Sequence, residues 1–318
     1  MLTTLSRRSP SGFSLVELLI TMTLLGLVGA VVVAVVVRQQ RFYRSTSALM
    51  DTRAQIRQMA SVLPMDLRGI SSAGGDITVA SDSALEFRST FGSSVVCTLI
   101  SGATPAIVLP PRNTAKGLRL TTWTRTPVVG DSIALYDVSA TPRGGDDRWT
   151  VHQITAIATV TGDVVTGCPS SSRLVQASDM TTANPSYRLT ISPVRPVTVA
   201  QGAPIRLYRR VRYSLYKSTD NLWYLGYRDC LPTRVPACSA VQPIGGPYRS
   251  YASAGSARSG LQFAYFDSTG VVTAVPRDVA RISVTLRGET AKQLQLQGGG
   301  IGTLEDSLAF EVALRNRK

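Results

Sequence analysis

Few residues in this 318-residue chain have a type and spacing that could do chemistry. Glu17 stands out, because the run that follows it, Leu18 to Val37, carries no charge. A lone carboxylate at the edge of hydrocarbon is costly unless something pairs with it. The four cysteines, Cys97, Cys168, Cys230 and Cys238, form the second set. None makes a CxxC, and the single histidine, His152, argues against a zinc site. An even count behind an export segment suits disulfides in an oxidising compartment, and four buried free thiols are the alternative. Cys230 and Cys238 enclose seven residues that include Pro232 and Pro236, which predicts a local bridge and leaves Cys97 with Cys168.

The remaining candidates are weaker. His152 sits among alternating strand residues, where a surface or hydrogen-bonded imidazole is a commoner outcome than a general base. No nucleophile elbow, P-loop or dinucleotide fingerprint occurs. Gly144-Gly145-Asp146-Asp147 offers two carboxylates to calcium, too few clustered oxygens for a strong site. Arg206, Arg209, Arg210 and Arg212 interleave with Tyr208 and Tyr213, a pattern that suits single-stranded nucleic acid but also an ordinary strand surface. On a strand, Arg206, Tyr208, Arg210 and Arg212 share one face, while Leu207, Arg209, Val211 and Tyr213 share the other. These residues predict no enzyme activity, no cofactor and no metal.

The elements that must position these residues begin with the apolar run. Twenty uncharged residues at about 1.5 Å each match a bilayer core of roughly 30 Å. Arg7 and Arg8 precede the run, so the N-terminus is expected in the cytoplasm and the body outside. A secretory signal peptide or a plain anchor would share these features, but a signal peptide has a shorter core and a small-x-small end. A plain anchor does not explain Glu17. Beyond the run, Phe42, Leu49, Ile56 and Leu63 recur every seven residues with Ala60, so the helix is expected to continue as an amphipathic spine. Arg38, Arg41 and Arg44 mark its exit from the bilayer. Pro64 lacks an N–H and is expected to end it at Leu63.

Ser11-Gly12-Phe13-Ser14-Leu15-Val16-Glu17, after a short basic leader and before the apolar helix, resembles the class III signal of type IV pilins and pseudopilins. The resemblance implies cleavage after Gly12 by a prepilin peptidase and N-methylation of Phe13. Glu17 becomes the fifth residue of the processed chain. Its carboxylate then suits the new ammonium of a neighbouring subunit, an assembly contact satisfied only in the fibre.

The net charge is +14, and arginine supplies nearly all the positive charge, with lysine only at 116, 217, 292 and 318. A polyanion partner is one reading. The absence of any block of five basic residues favours a dispersed surface. From 65 onward, short alternating runs replace helical periodicity. Strands are expected at 84–88, 95–100, 117–121, 131–136, 149–157 and 187–191, with loops at 103–116, 140–148 and 166–186. Residues 205–216 and 222–228 read as one hairpin, and 261–266 with 271–275 as another. Residues 243–259 read as a linker, and 279–286 and 308–314 as the last strands.

Val211-x-Tyr213-x-Leu215, Trp223-Tyr224-Leu225, the run Gly260 to Gly270 and Leu314-Arg315-Asn316 resemble the PilW-type minor pilin and the J-type minor pseudopilin. The implied fold is α+β: a long N-terminal helix packed on an antiparallel sheet, with an additional β-rich insertion. The expected divisions are a leader at 1–12, a membrane and spine helix at 13–63 and the start of the head at 64–90. An insertion at 91–200 and the C-terminal part of the head at 201–318 follow. The implied function is a minor pilin that starts or caps a type IV pilus. The alternatives are a minor pseudopilin of a type II secretion system and a tip subunit that adheres or takes up DNA. Expected partners are prepilin peptidase, other pilin or pseudopilin subunits and the inner membrane, with nucleic acid open.

Overall fold

The computed structural model describes residues 14–102, 104–115, 117–138, 148–252, 258–295 and 300–314. One helix, α1 (Leu15–Leu67), runs for 53 residues, about 80 Å. The start of the head supplies β1 (Ile77–Ala80) and β2 (Ala84–Val95). The following region supplies β3 (Thr98–Ile100), β4 (Ala106–Leu109), β5 (Thr122–Trp123), β6 (Ser132–Asp137), β7 (Arg148–Val160) and β8 (Ser186–Ser192). The C-terminal part begins with β9 (Pro204–Lys217), β10 (Trp223–Cys230), β11 (Gln242–Tyr248) and β12 (Leu261–Phe266). It ends with β13 (Arg281–Glu289), β14 (Leu294–Gln295), β15 (Ile301–Gly302) and β16 (Glu305–Ala313). Fourteen of these strands join one antiparallel sheet, and β14–β15 form a separate ribbon. The molecule is therefore α+β, a long helix on a large antiparallel sheet with a β-rich extra region.

The helix buries Thr52, Ile56, Met59, Leu63 and Leu67 against the sheet. Two glycines let it come close. A Cβ on Gly288 of β13 would lie 2.7 Å from the Thr52 side chain, and one on Gly245 of β11 would lie 2.8 Å from Met59. Two expectations need correction. Phe42 is 65% exposed, while Leu49 is half-buried. A straight helix drifts about 20° per heptad, so a strict seven-residue stripe leaves the buried face. Pro64 lies inside the helix, which ends at Leu67 rather than Leu63. Proline removes one hydrogen bond, but Leu67 and Ile70 are fully buried, and Arg68 N–H donates to the Pro64 carbonyl at 3.1 Å. Packing outweighs the missing donor.

Alternation predicts most strands, and the misses have causes. Residues 106–109 form a fully buried strand inside an expected loop, because a continuous apolar run shows no period of two. The expected linker contains β11, between β10 and β13, despite two prolines. No strand forms over the expected 117–121; the two-residue β5, Thr122–Trp123, follows directly after it. Val271–Val275 reduces to one bridge, Phe266 to Val272, and β12 takes its full-length partner from β13 instead.

β2 and β9 organise the sheet. They pair from Ala84–Ser214 to Val95–Pro204, and both cross two hydrophobic cores. The core beneath the helix holds Leu85 and Phe87 of β2 with Val211 and Tyr213 of β9. The other core holds Phe91 of β2 with Ile205 and Leu207 of β9, against Ile107, Ile154 and Leu189. The boundary expected at 91 falls inside β2 and the one at 201 just before β9, and both strands are shared by the two cores. Arg209 shares the inward face with Leu207 and Val211, between the two cores, and is 8% exposed.

Asp131, 1% exposed, accepts both Arg209 Nε–H and Nη2–H at 2.6 Å. Asp229 at the end of β10 lies 3.7 Å from the same guanidinium. Arg125 Nη1 donates to Asp229 at 2.6 Å and its Nη2 donates to the Tyr227 hydroxyl at 2.9 Å. Partial burial raises the Asp229 carboxyl, but the bonds from Arg125 and Tyr227 outweigh it, and the group sits below its usual range. Removing one partner of a buried pair strands the other charge, at a cost of about 3–5 kcal/mol. Arg209→Met is expected to destabilise by that amount, and Arg209→Met with Asp131→Leu to recover most of it. Urea unfolding of the detergent-solubilised chain checks this; equal losses in both variants would show that the charges are not coupled.

Candidate functional site

The candidate site is the N-terminal end of the helix. Ser14 precedes it in an extended conformation and makes no side-chain cap. The first turn carries Glu17, an arrangement the helix dipole favours. Among the described residues the Glu17 carboxylate has no hydrogen-bond or ion-pair partner. Gly12 and Phe13, the expected processing residues, lie outside the described residues. Every residue from Leu15 to Val37 is exposed, so this apolar surface has no partner among the described residues. Its two threonines bond inward: Thr21 donates to the Leu18 carbonyl at 2.9 Å and Thr23 to the Ile20 carbonyl at 2.8 Å. No hydroxyl is then left unsatisfied toward hydrocarbon. The span is long and apolar enough to cross a bilayer. It fits a single-pass inner-membrane anchor.

The same helix becomes a spine farther along. From Thr52 it lies on β11, β13 and β16. Arg53 Nε donates to Asp306 of β16 at 2.6 Å, and this bond holds the Asp306 carboxyl below its usual range. Tyr213 in β9 donates its hydroxyl to Asp66 in the last turn. The membrane half and the head are therefore one continuous element.

Residues 7–33 match the family described as the prokaryotic N-terminal methylation motif. The chain carries a prepilin-type processing signal. This is consistent with the type IV pilin family, and it implies processing by prepilin peptidase and assembly with other pilin subunits. No curated protein and no solved structure matches the chain. The prepilin-type signal and the exposed helix coincide: the matched segment ends inside the apolar run.

The other predicted residues have structural partners. Cys97 is bonded to Cys168 and Cys230 to Cys238, as expected. His152 is buried. Its Nδ1 lies 2.7 Å from the Pro193 carbonyl and its Nε2 lies 2.9 Å from the Thr150 hydroxyl. Glu86 sits beside Cys230 and Cys238, but both sulfurs are committed to the disulfide and Glu86 pairs with Arg210 at 2.9 Å and Arg212 at 3.6 Å. Arg206 stacks on Trp149, 4.5 Å from the ring centre. The arginine stripe of β9 is thus occupied within the chain, and nucleic-acid binding is not shown. Residues 144–147 lie outside the described residues. The Arg209 network was not anticipated. Its one sequence signal is an arginine on the apolar face of a strand.

The Cys97–Cys168 bridge spans 71 residues and the Cys230–Cys238 bridge spans 8. By chain entropy these contribute about 4 and about 2.5 kcal/mol respectively. The Cys97→Ser, Cys168→Ser pair is therefore expected to lose more stability than the Cys230→Ser, Cys238→Ser pair. Chemical denaturation of the two double variants reads the order directly.

Proposed function

We propose that this chain is a minor pilin-type structural subunit that takes part in initiating or capping a type IV pilus. The observation that carries the reading is Glu17, unpartnered in the first turn of an exposed apolar helix within a prepilin-type motif. After cleavage, the Phe13 ammonium of one subunit and the Glu17 carboxylate of another can neutralise each other in hydrocarbon, where either alone is costly. A pair completed only between subunits favours one axial register. The roughly 250 residues beyond the helix make a bulky head, awkward at every position of a thin fibre and suited to its end.

The body belongs in the periplasm on this reading, with the N-terminus cytoplasmic. Two disulfides support an oxidising compartment. The work is mechanical: insertion, processing and packing, with no catalysis by this chain.

Glu17→Ala is expected to leave membrane insertion and cleavage after Gly12 intact but to remove the subunit from sheared fibres. Gly12→Val is expected to retain the leader. Mass spectrometry of the N-terminus and immunoblotting of the fibre fraction read both. Wild-type incorporation of Glu17→Ala would sink the pairing role. Cofractionation with a secretin and secreted cargo, without surface fibres, would replace the pilus with a type II secretion pseudopilus.

A further inference from the structure

A cleft of about 660 Å³ opens in the β-rich region, away from the helix. Its walls come from β2, the segment after β4, β5 and the chain entering β8. The β2–β9 register shifts between Thr90 and Gly92, which places Phe91 at a bulge. Gly92 then lets β5 press close: a Cβ there would lie 2.7 Å from the Thr122 carbonyl. Arg112, Arg119, Asn113, Thr122, Trp123 and Tyr187 supply the chemistry, and among the described residues no Asp or Glu lines the cleft. Among the described residues the Arg119 guanidinium and the Asn113 side-chain amide have no partner, and Arg112 donates only Nη2, to the Trp123 carbonyl at 3.2 Å.

Two cations without a counter-ion favour an anionic ligand. The hydroxyl and amide walls favour one rich in hydroxyls. A nucleobase would need a bare ring to stack on. Trp123 does not offer one: it is 7% exposed, Arg112 lies over its ring 5.4 Å from the centre, and Tyr187 packs on it in a T-shape with ring centres 4.8 Å apart. We propose that this cleft binds an acidic saccharide, with Arg112 and Arg119 taking the carboxylate and Asn113 and Thr122 taking ring hydroxyls. The helix packs on β11, β13 and β16, so it does not cover the cleft. The site does not depend on which fibre the chain joins.

Calorimetric titration of the full detergent-solubilised chain with trigalacturonate tests this, with maltotriose and a short oligothymidylate as competitors. Saturable binding is expected for trigalacturonate, with little for maltotriose. Arg119→Glu is expected to weaken it by about tenfold or more, the scale of one lost charge-assisted bond. Arg119 is exposed and uncommitted, so the variant should melt like the parent. Arg277→Glu removes the same charge at an exposed position outside the cleft and is expected to leave binding unchanged. Absence of saturable trigalacturonate binding overturns the proposal. So does equal weakening by Arg277→Glu, which would mean a diffuse effect of the +14 charge. Oligothymidylate binding as tightly at the same place would make the cleft a nucleic-acid site and overturn it too.

Discussion

A guanidinium cannot remain between two apolar cores unless carboxylates answer it. Arg209 holds that place on β9, with Leu207 toward one core and Val211 toward the other. Its bidentate partner, Asp131, stands directly before β6, and its more distant one, Asp229, lies near the end of β10. β10 pairs with β9 as far as Arg210, and β6 takes over at Tyr208. The charge therefore sits where one edge of β9 changes neighbours. A slip of one residue would turn Arg209 to the outer face and send every inward side chain of β9 with it. A buried pair of this kind adds little net stability over a hydrophobic replacement, so register is the property it supplies best.

The helix obeys a different constraint. Its first half has no partner among the described residues, whereas Leu63 and Leu67 are completely buried. The helix is unbroken between the two regimes, and side-chain composition marks the transition. Val-rich sequence gives way to arginines at 38, 41 and 44, then to a stripe that fits two glycines of the sheet.

Legibility in the sequence tracks the range of the interactions. The processing motif is wholly local, because basic leader, glycine, carboxylate and apolar span adjoin one another. Strands such as β7 and β9 are legible because each alternates within a few residues, and β10 because it follows β9 after a short polar turn. β4 hides because burial on both faces erases alternation, and β11 because Gly245 serves helix approach and Gly246 close packing on β10 rather than a loop. Arg209 and Asp131 are 78 residues apart, a separation that only the folded sheet closes. The cleft draws on separate stretches between Thr90 and Tyr187, and none of them carries a recognisable local pattern.

The shared strands have a mechanical consequence. β2 enters the outer core at its C-terminal end and β9 returns from it at its N-terminal end, so Val95 and Pro204 lie side by side. A tug on the outer region away from the anchored helix would draw both strands along their lengths. Ladder hydrogen bonds run across strands, so those joining β9 to β10 and β2 to β1 would be loaded in shear, many at once. Peeling would break them singly. A head built this way resists traction along its long strands much better than a pull across them.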